Sequence, residues 1–309
     1  MDALIRILLG YDGSDYADAA IDDLRWAGLA QEINFLVVSV GYALTARTMS
    51  SHDITDSSAT TLREASATPV NSAYEEAHNL ASEAGRRVQA SFPGWDVHVD
   101  ALVGNPSQGL IEQVERWNAD LVVVGSQGRS ALGRFLLGSV SRRIATEARC
   151  SVRVARRIQK VDNALRILVG VDGSPGAELA VRGIASRLWH AETEVRITSV
   201  NDRMSPTRIA GMFPIAATRI AESNEQESEK ARAMSEWAAE ELRAAGLEAS
   251  VQIKTGDPLP TLIEEAEIWG ADSIFIGSHG LNQPDKKAGL GSVAMGLVTN
   301  AHCSVEVVR

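Results

Sequence analysis

Residues 125–139 read GSQGRSALGRFLLGS, which places Gly125, Gly128, Gly133 and Gly138 close together directly after the apolar LVVV. Glycine lacks the Cβ that would keep backbone N–H groups away from an anion. Gly138-Ser139 then opens the helical pattern SVSRRIATEA, with Val140 in its first turn, and a helix N-terminus favours negative charge. Arg129 and Arg134 can add charge-assisted hydrogen bonds. The chemistry this spacing suits is the holding of phosphate groups. Glycines after a strand also serve as plain turns, and loop arginines are also ordinary solvated charges, so the loop by itself leaves both readings open.

Asp12, in the early stretch LLGYDGS, would repel a phosphate. Its carboxylate suits a purine amino group, a ribose hydroxyl or a magnesium ion. It equally suits the plain role of starting a turn or capping the next helix. Val40, closing a second apolar run, can pack against a base. A mononucleotide meets these demands together. No G-x-x-x-x-G-K-[ST] and no G-x-G-x-x-G follows the first apolar run, so neither a P-loop nor a dinucleotide site is indicated. Hydrolysis needs a group that activates water and a clamp for the leaving phosphate. The chain has no G-x-S-x-G, no H-E-x-x-H and no paired carboxylates beside the loop, and His52, His78, His98, His190 and His302 are scattered. No catalytic residue is assigned, and slow nucleotide hydrolysis stands only as an alternative.

The elements that must position these residues occur twice. LIRILLGYDGSD at 4–15 returns as LRILVGVDGSPG at 165–176, so Asp12, Gly13 and Ser14 correspond to Asp172, Gly173 and Ser174. Ser39 and Val40 return as Ser199 and Val200, Gly104 and Pro106 as Gly256 and Pro258, and Trp117 as Trp269. LVVVGSQG returns as SIFIGSHG, and GSVSRRIATEARCSVRV as GSVAMGLVTNAHCSVEV. Two domains are expected, 1–157 and 163–309, joined through the polar RRIQKVDNA.

Within the first copy, residues 4–10, 34–40, 97–102, 121–125 and 152–155 are short, apolar and bounded by Gly, Asp or Ser, as strands are. Tyr74, Ala77, Ala81, Ala84 and Val88 follow helical spacing, as do Leu110, Ile111, Val114 and Trp117. Alternation of this kind predicts an α/β fold, two tandem doubly wound, Rossmann-like domains, each with a five-stranded parallel sheet. A strand order of 3-2-1-4-5 brings Asp12 and Gly125 to one crevice beyond the strand ends. Residues 41–70 are polar and without sustained periodicity, which predicts a long loop with room for a short helix. Their counterpart, 201–221, is shorter and more apolar.

Of the 309 residues, 45% are hydrophobic, and the net charge of -10 argues against a nucleic-acid or anionic-membrane surface. MDALIRILLG has no basic region and no cleavage site, so a cytoplasmic location is expected. Cys150 and Cys303 have no metal-ligand spacing and are expected in the core.

Gly125-x-x-Gly128, nine residues, then Gly138-Ser139, with an early strand ending in Asp12-Gly13-Ser14, resembles the ATP-binding signature of the universal stress protein family. The resemblance covers almost the whole chain, twice. It implies that the residues at Asp12 and Val40 contact adenosine, while Gly125, Gly128, Gly138, Ser139 and the following Val140 hold ribose and phosphates. Adenine in preference to guanine, and so ATP with or without Mg2+, rests on the resemblance. Family members commonly dimerise through the fifth strand, which implies a pseudo-dimer of the two halves within the chain; a homodimer of whole chains and an unnamed regulatory protein partner are further expectations. The second copy retains Asp172, Val200, Gly277, Gly280, Gly291 and Ser292. It has ten residues in the loop, Leu281 in place of Arg129, and Pro284, which removes an N–H; Lys286 and Lys287 can replace the missing charge. His279 either touches a ligand or has no role. Three functions stand: a nucleotide-responsive stress regulator, a scaffold that keeps the fold without nucleotide, and a weak ATPase.

Overall fold

The computed structural model describes residues 4–42, 56–128, 137–156, 164–201, 214–280 and 289–309, with the side chains of 56–68 and 214–227 excepted. In the first half the order is β1 (Arg6–Gly10), α1 (Asp15–Asp23), a 3-10 turn (Leu24–Trp26), β2 (Asn34–Gly41), α2 (Asp56–Ser91), β3 (Asp96–Val103), α3 (Pro106–Trp117), β4 (Leu121–Gly125), α4 (Ser139–Glu147) and β5 (Ser151–Ala155). The second half repeats it as β6 (Arg166–Gly170), α5 (Pro175–Ala185), β7 (Glu194–Asn201), α6 (Pro214–Ala244), β8 (Glu248–Thr255), α7 (Pro258–Trp269), β9 (Ser273–Gly277), α8 (Ser292–Asn300) and β10 (Ser304–Val308).

The central strands are unbroken apolar runs because helices cover both of their faces. Ile7, Leu8 and Leu9 of β1 and Val122 and Val123 of β4 are fully buried. The strands join into one sheet of order β3-β2-β1-β4-β5-β10-β9-β6-β7-β8. Each half keeps the expected parallel order 3-2-1-4-5. The fifth strands are not edges of the whole: β5 and β10 pair antiparallel, with Val305 opposite Val154, Glu306 opposite Arg153 and Val307 opposite Val152.

One face of the sheet, under α3, α4, α7 and α8, carries a single core that runs through the seam and includes Ile144, Val152, Val154, Leu297, Val305 and Val307. The other face has two separate cores, one under α1 and α2 and one under α5 and α6. Alternation along β5 and β10 sends Arg153 and Glu306 to that second face, where the two cores meet. There Arg153 Nε donates to Asp23 Oδ2 at 2.5 Å and its Nη1 to Glu306 Oε2 at 3.3 Å, with all three side chains fully buried. Burial works against the Arg153 charge, and the carboxylates of Asp23 and Glu306 outweigh it, holding its pKa above the usual arginine value.

Two arginines clasp the halves reciprocally. Arg156, just past β5, donates to the carbonyls of Val298 at 2.5 Å and Cys303 at 3.1 Å. Arg309, just past β10, donates to those of Ala145 at 2.5 Å and Cys150 at 3.2 Å. Each half thereby satisfies orphan carbonyls at the C-terminal end of the other half's last helix.

Two expectations are corrected. Residues 56–70, read as loop, form the first turns of α2, which contains Pro69; residues 43–55 lie outside the described residues. Cys303 is buried as expected, but Cys150 is only half-buried. Burial raises both thiols, to about 11 for Cys150 and about 12 for Cys303, so both stay protonated near neutrality.

Candidate functional site

In the first half, β1 lies between β2 and β4, so the chain leaves the sheet in opposite directions beyond their C-terminal ends. A crevice opens at such a reversal in a doubly wound sheet. Asp12 and Gly13 follow β1 at this point, and Gly13 turns the chain at φ 74°. Asp12 Oδ1 accepts from the backbone N–H of Ser14 at 3.1 Å and from its hydroxyl at 2.6 Å. Ser14 Oγ in turn accepts from Ala17 N at 3.2 Å and caps α1. The cap of α1 is therefore Ser14, and Asp12 orients it. Behind this turn, Tyr11 donates to Asp18 at 2.7 Å, and Arg87 of α2 forms an ion pair with Asp18. Burial, reinforced by Asp18, pushes the Tyr11 phenol up to about 12, which keeps it a donor.

The glycine loop meets this turn from β4. A Cβ on Gly128 would lie 2.7 Å from Asp12 Oδ2, so a side chain there would strike the carboxylate. Gly125 packs as closely on the backbone of Tyr16, where a Cβ would lie 2.5 Å from the carbonyl oxygen. The far end of the loop folds back: Gly138 N donates to Ser126 O at 2.8 Å, and Ser141 Oγ donates to Gly125 O at 2.6 Å. Val40, near the end of β2, is half-buried against the core beside Gly109 of α3. Asp12, Gly13, Ser14, Gly125, Gly128, Gly138, Ser139 and Val140 are thus brought around the ends of β1 and β4, with Val40 on the neighbouring strand. Arg129 and Arg134 lie outside the described residues.

The helix that opens at Ser139 differs from its neighbours. Six α-helices have a described N-cap. Ser14, Asn105, Ser174 and Asp257 cap α1, α3, α5 and α7 with a side-chain oxygen. The other two, α4 and α8, are capped by Gly138 and Gly291, with no side-chain cap bond. Their first N–H groups are left to an acceptor from outside the helix.

The second half repeats the cradle. Ser174 N donates to Asp172 Oδ1 at 2.9 Å, a Cβ on Gly280 would lie 2.6 Å from Asp172 Oδ2, and Gly291 N donates to Ser278 O at 2.8 Å. Gly277 packs on Gly176, Val200 is half-buried against the shared core, and Ser292 is exposed at the start of α8. His279 Nδ1 lies 3.2 Å from Ser278 Oγ. Leu281, Pro284, Lys286 and Lys287 lie outside the described residues. Asp172 is exposed where Asp12 is half-buried. Ala294 stands where Ser141 braces the first loop, and Met295 and Gly296 stand where α4 has Arg142 and Arg143.

Sequence reasoning passed over Ser141. Its signal was a second small hydroxyl residue in Ser139-Val140-Ser141, one that only the folded loop turns toward Gly125 O.

A family model described as the universal stress protein family matches residues 5–156 and again 164–309. A universal stress protein of Mycolicibacterium smegmatis is 28% identical over 308 residues, spanning 98% of this chain and 96% of that protein. One from Methanocaldococcus jannaschii is 34% identical over 98 residues, 30% of this chain and 58% of the relative. The crystal structure of a universal stress protein from Archaeoglobus fulgidus has the same fold, with a TM-score of 0.65 at 21% identity and 98% of both chains covered.

Proposed function

The chain belongs to the universal stress protein family as a tandem of two such domains, and from that premise we propose that it is an ATP-binding regulatory protein of the stress response. The observation that carries this reading is the contrast in capping: where the other helices with described caps use a side chain, α4 and α8 begin at a bare glycine inside a loop closed on an aspartate. Phosphate oxygens would accept from the first N–H groups of α4 and from the Ser139 hydroxyl. The Asp12 carboxylate would accept from ribose or the adenine amino group, and Val40 would pack on the base. ATP supplies the anionic group that the uncapped helix lacks. Among the described residues no three His, Cys, Asp or Glu converge, so a magnesium ion would arrive on the nucleotide's own phosphates.

Occupancy would reorganise the surface around the start of α4, and a protein partner would read that surface; the chain itself would act without turnover. No described helix is long and apolar enough to cross a membrane.

The test is to denature freshly purified protein, identify the released nucleotide by chromatography and mass, and repeat with Gly128→Ala and Asp12→Asn. About one or two adenine nucleotides per chain, depleted in both variants, is the expected result. A protein that neither carries nucleotide nor acquires it from Mg-ATP would be a scaffold. The seam that joins the two halves into one sheet gives that second reading its own physical support.

A further inference from the structure

We infer that the seam between the halves is a selective interface: a buried charge pair and a shape match commit the first half to the second and reject pairing of either half with its own kind. The offset that relates Ser139 to Ser292 and Cys150 to Cys303 also relates Arg153 to Glu306, 153 positions apart. These two are therefore equivalent positions, and they face each other across the antiparallel pair. Each half presents the opposite sign at the same place. Side chains directly opposite in such a pair are close neighbours, and like charges there repel.

The surroundings are divided in the same way. Arg153 also donates to Ser273 Oγ at 3.1 Å, and Ser304 Oγ of the second half donates to Asp23 Oδ1 at 2.7 Å. Arg187 bonds Glu306 and donates to Ala27 O at 2.9 Å. Arg187 and Ala27 are themselves equivalent, 160 positions apart, at the offset that relates Ser14 to Ser174. Beside them the Trp189 ring lies against Gly28, which has φ 63°; a Cβ on Gly28 would come within 2.7 Å of the ring.

Pairing two first halves would set Arg153 against Arg153, with Leu121 where Ser273 accepts and Leu29 where Trp189 packs. Pairing two second halves would set Glu306 against Glu306, each left with its own Arg187 in place of Arg153, with Leu188 where Gly28 makes room for the ring. Both alternatives bury like charges face to face, with Asp23 or Arg187 of the same half as their counter-charge and the charge pair across the seam lost, and both misfit the aromatic contact. Selectivity of this kind comes from what the wrong pair would suffer as much as from what the right pair gains.

The experiment uses the full chain with a protease site placed within 157–163, folded first and then cut. The cut sample is mixed with an isotope-labelled cut sample in mild urea to permit exchange, and pairs are counted by native mass spectrometry. Mixed pairs of first and second half are expected to exceed either like pair by about 100-fold or more. In the same protein carrying Arg153→Met, Glu306→Met and Trp189→Leu, like pairs are expected to rise toward their statistical share. Statistical pairing without the substitutions, separation of the halves on cutting, or undiminished selectivity in the substituted protein would each overturn the inference. Should the substituted protein not fold, urea unfolding of the uncut chain decides. Arg153→Met and Glu306→Met are expected to lower the midpoint more singly than together, and additive losses would refute the coupling.

Discussion

The two glycine loops are hung from equivalent strands and closed on equivalent aspartates, yet among the described residues the first carries a brace whose position in the second holds an alanine. In the first, Ser141 ties the start of α4 to Gly125, the Ser14 hydroxyl grips Asp12, and Arg142 and Arg143 follow in α4. In the second, Ala294, Met295 and Gly296 occupy those helix positions, Asp172 is exposed, and the loop is one residue longer. The difference teaches that the fold preserves the cradle independently of the contacts that would hold a ligand in it. Strand order and glycine positions make the turn, and a few side chains set how it is braced.

The harshest way to break this comparison is to remove what both halves share. Arg153→Met leaves Asp23 and Glu306 buried around a neutral side chain, and losses on breaking buried pairs predict about 3–5 kcal/mol of stability. Calorimetry should show both halves weakened together rather than one. Next comes the ligand grip. Gly128→Ala drives a methyl toward Asp12 and should weaken nucleotide binding about 10- to 100-fold by titration calorimetry, as overpacking of this size costs about 1–3 kcal/mol. Gly280→Ala should leave binding by the first half intact, and equal losses from the two variants would erase the contrast between the halves.

A smaller effect sharpens the contrast. Ser141→Ala should cost about 1 kcal/mol by urea unfolding, the worth of one hydrogen bond, and make the first loop resemble the second. Ala294→Ser tests the reverse exchange, with tighter nucleotide binding by the second half as the expected outcome. The smallest effect lies at Glu265, which occupies the position of Gln113. Burial alone would raise its pKa, but hydrogen bonds from Lys254 and Arg196 outweigh that and hold it below the usual carboxylate value. The stability it adds is present above the unfolded carboxylate pKa and is lost as pH falls through the lower folded value. Glu265→Gln should flatten that part of an acid-unfolding profile, and an unchanged profile would show that the pair contributes nothing.

Much of this was legible in the chain because parallel strands covered on both faces must be continuous apolar runs, such as RILLG and LVVVG. The order of those runs then brought Asp12 to the glycine loop. The start of α2 was not legible, since TTLREASATPV has little apolar periodicity and Pro69 reads as a helix stop. Tyr74 fits the helical spacing yet is 46% exposed, because the small faces of Ala77, Ala81 and Ala84 are what the sheet accepts. Arg153 and Glu306 were invisible for a different reason. In CSVRV and CSVEV they alternate with valines as ordinary solvent-facing charges would, and only the antiparallel seam buries them.

The separation of 153 positions between those two residues also sets a clock. At ordinary rates of synthesis, β5 leaves the ribosome roughly 8–30 s before β10 can cover it. During that interval the first half has an open edge, the feature most prone to sticking to another nascent chain. A strand of valines alone would invite such a partner. The charge at its centre would disfavour an identical edge until the complementary strand emerges, so one arginine would guard the unfinished protein before joining the finished one.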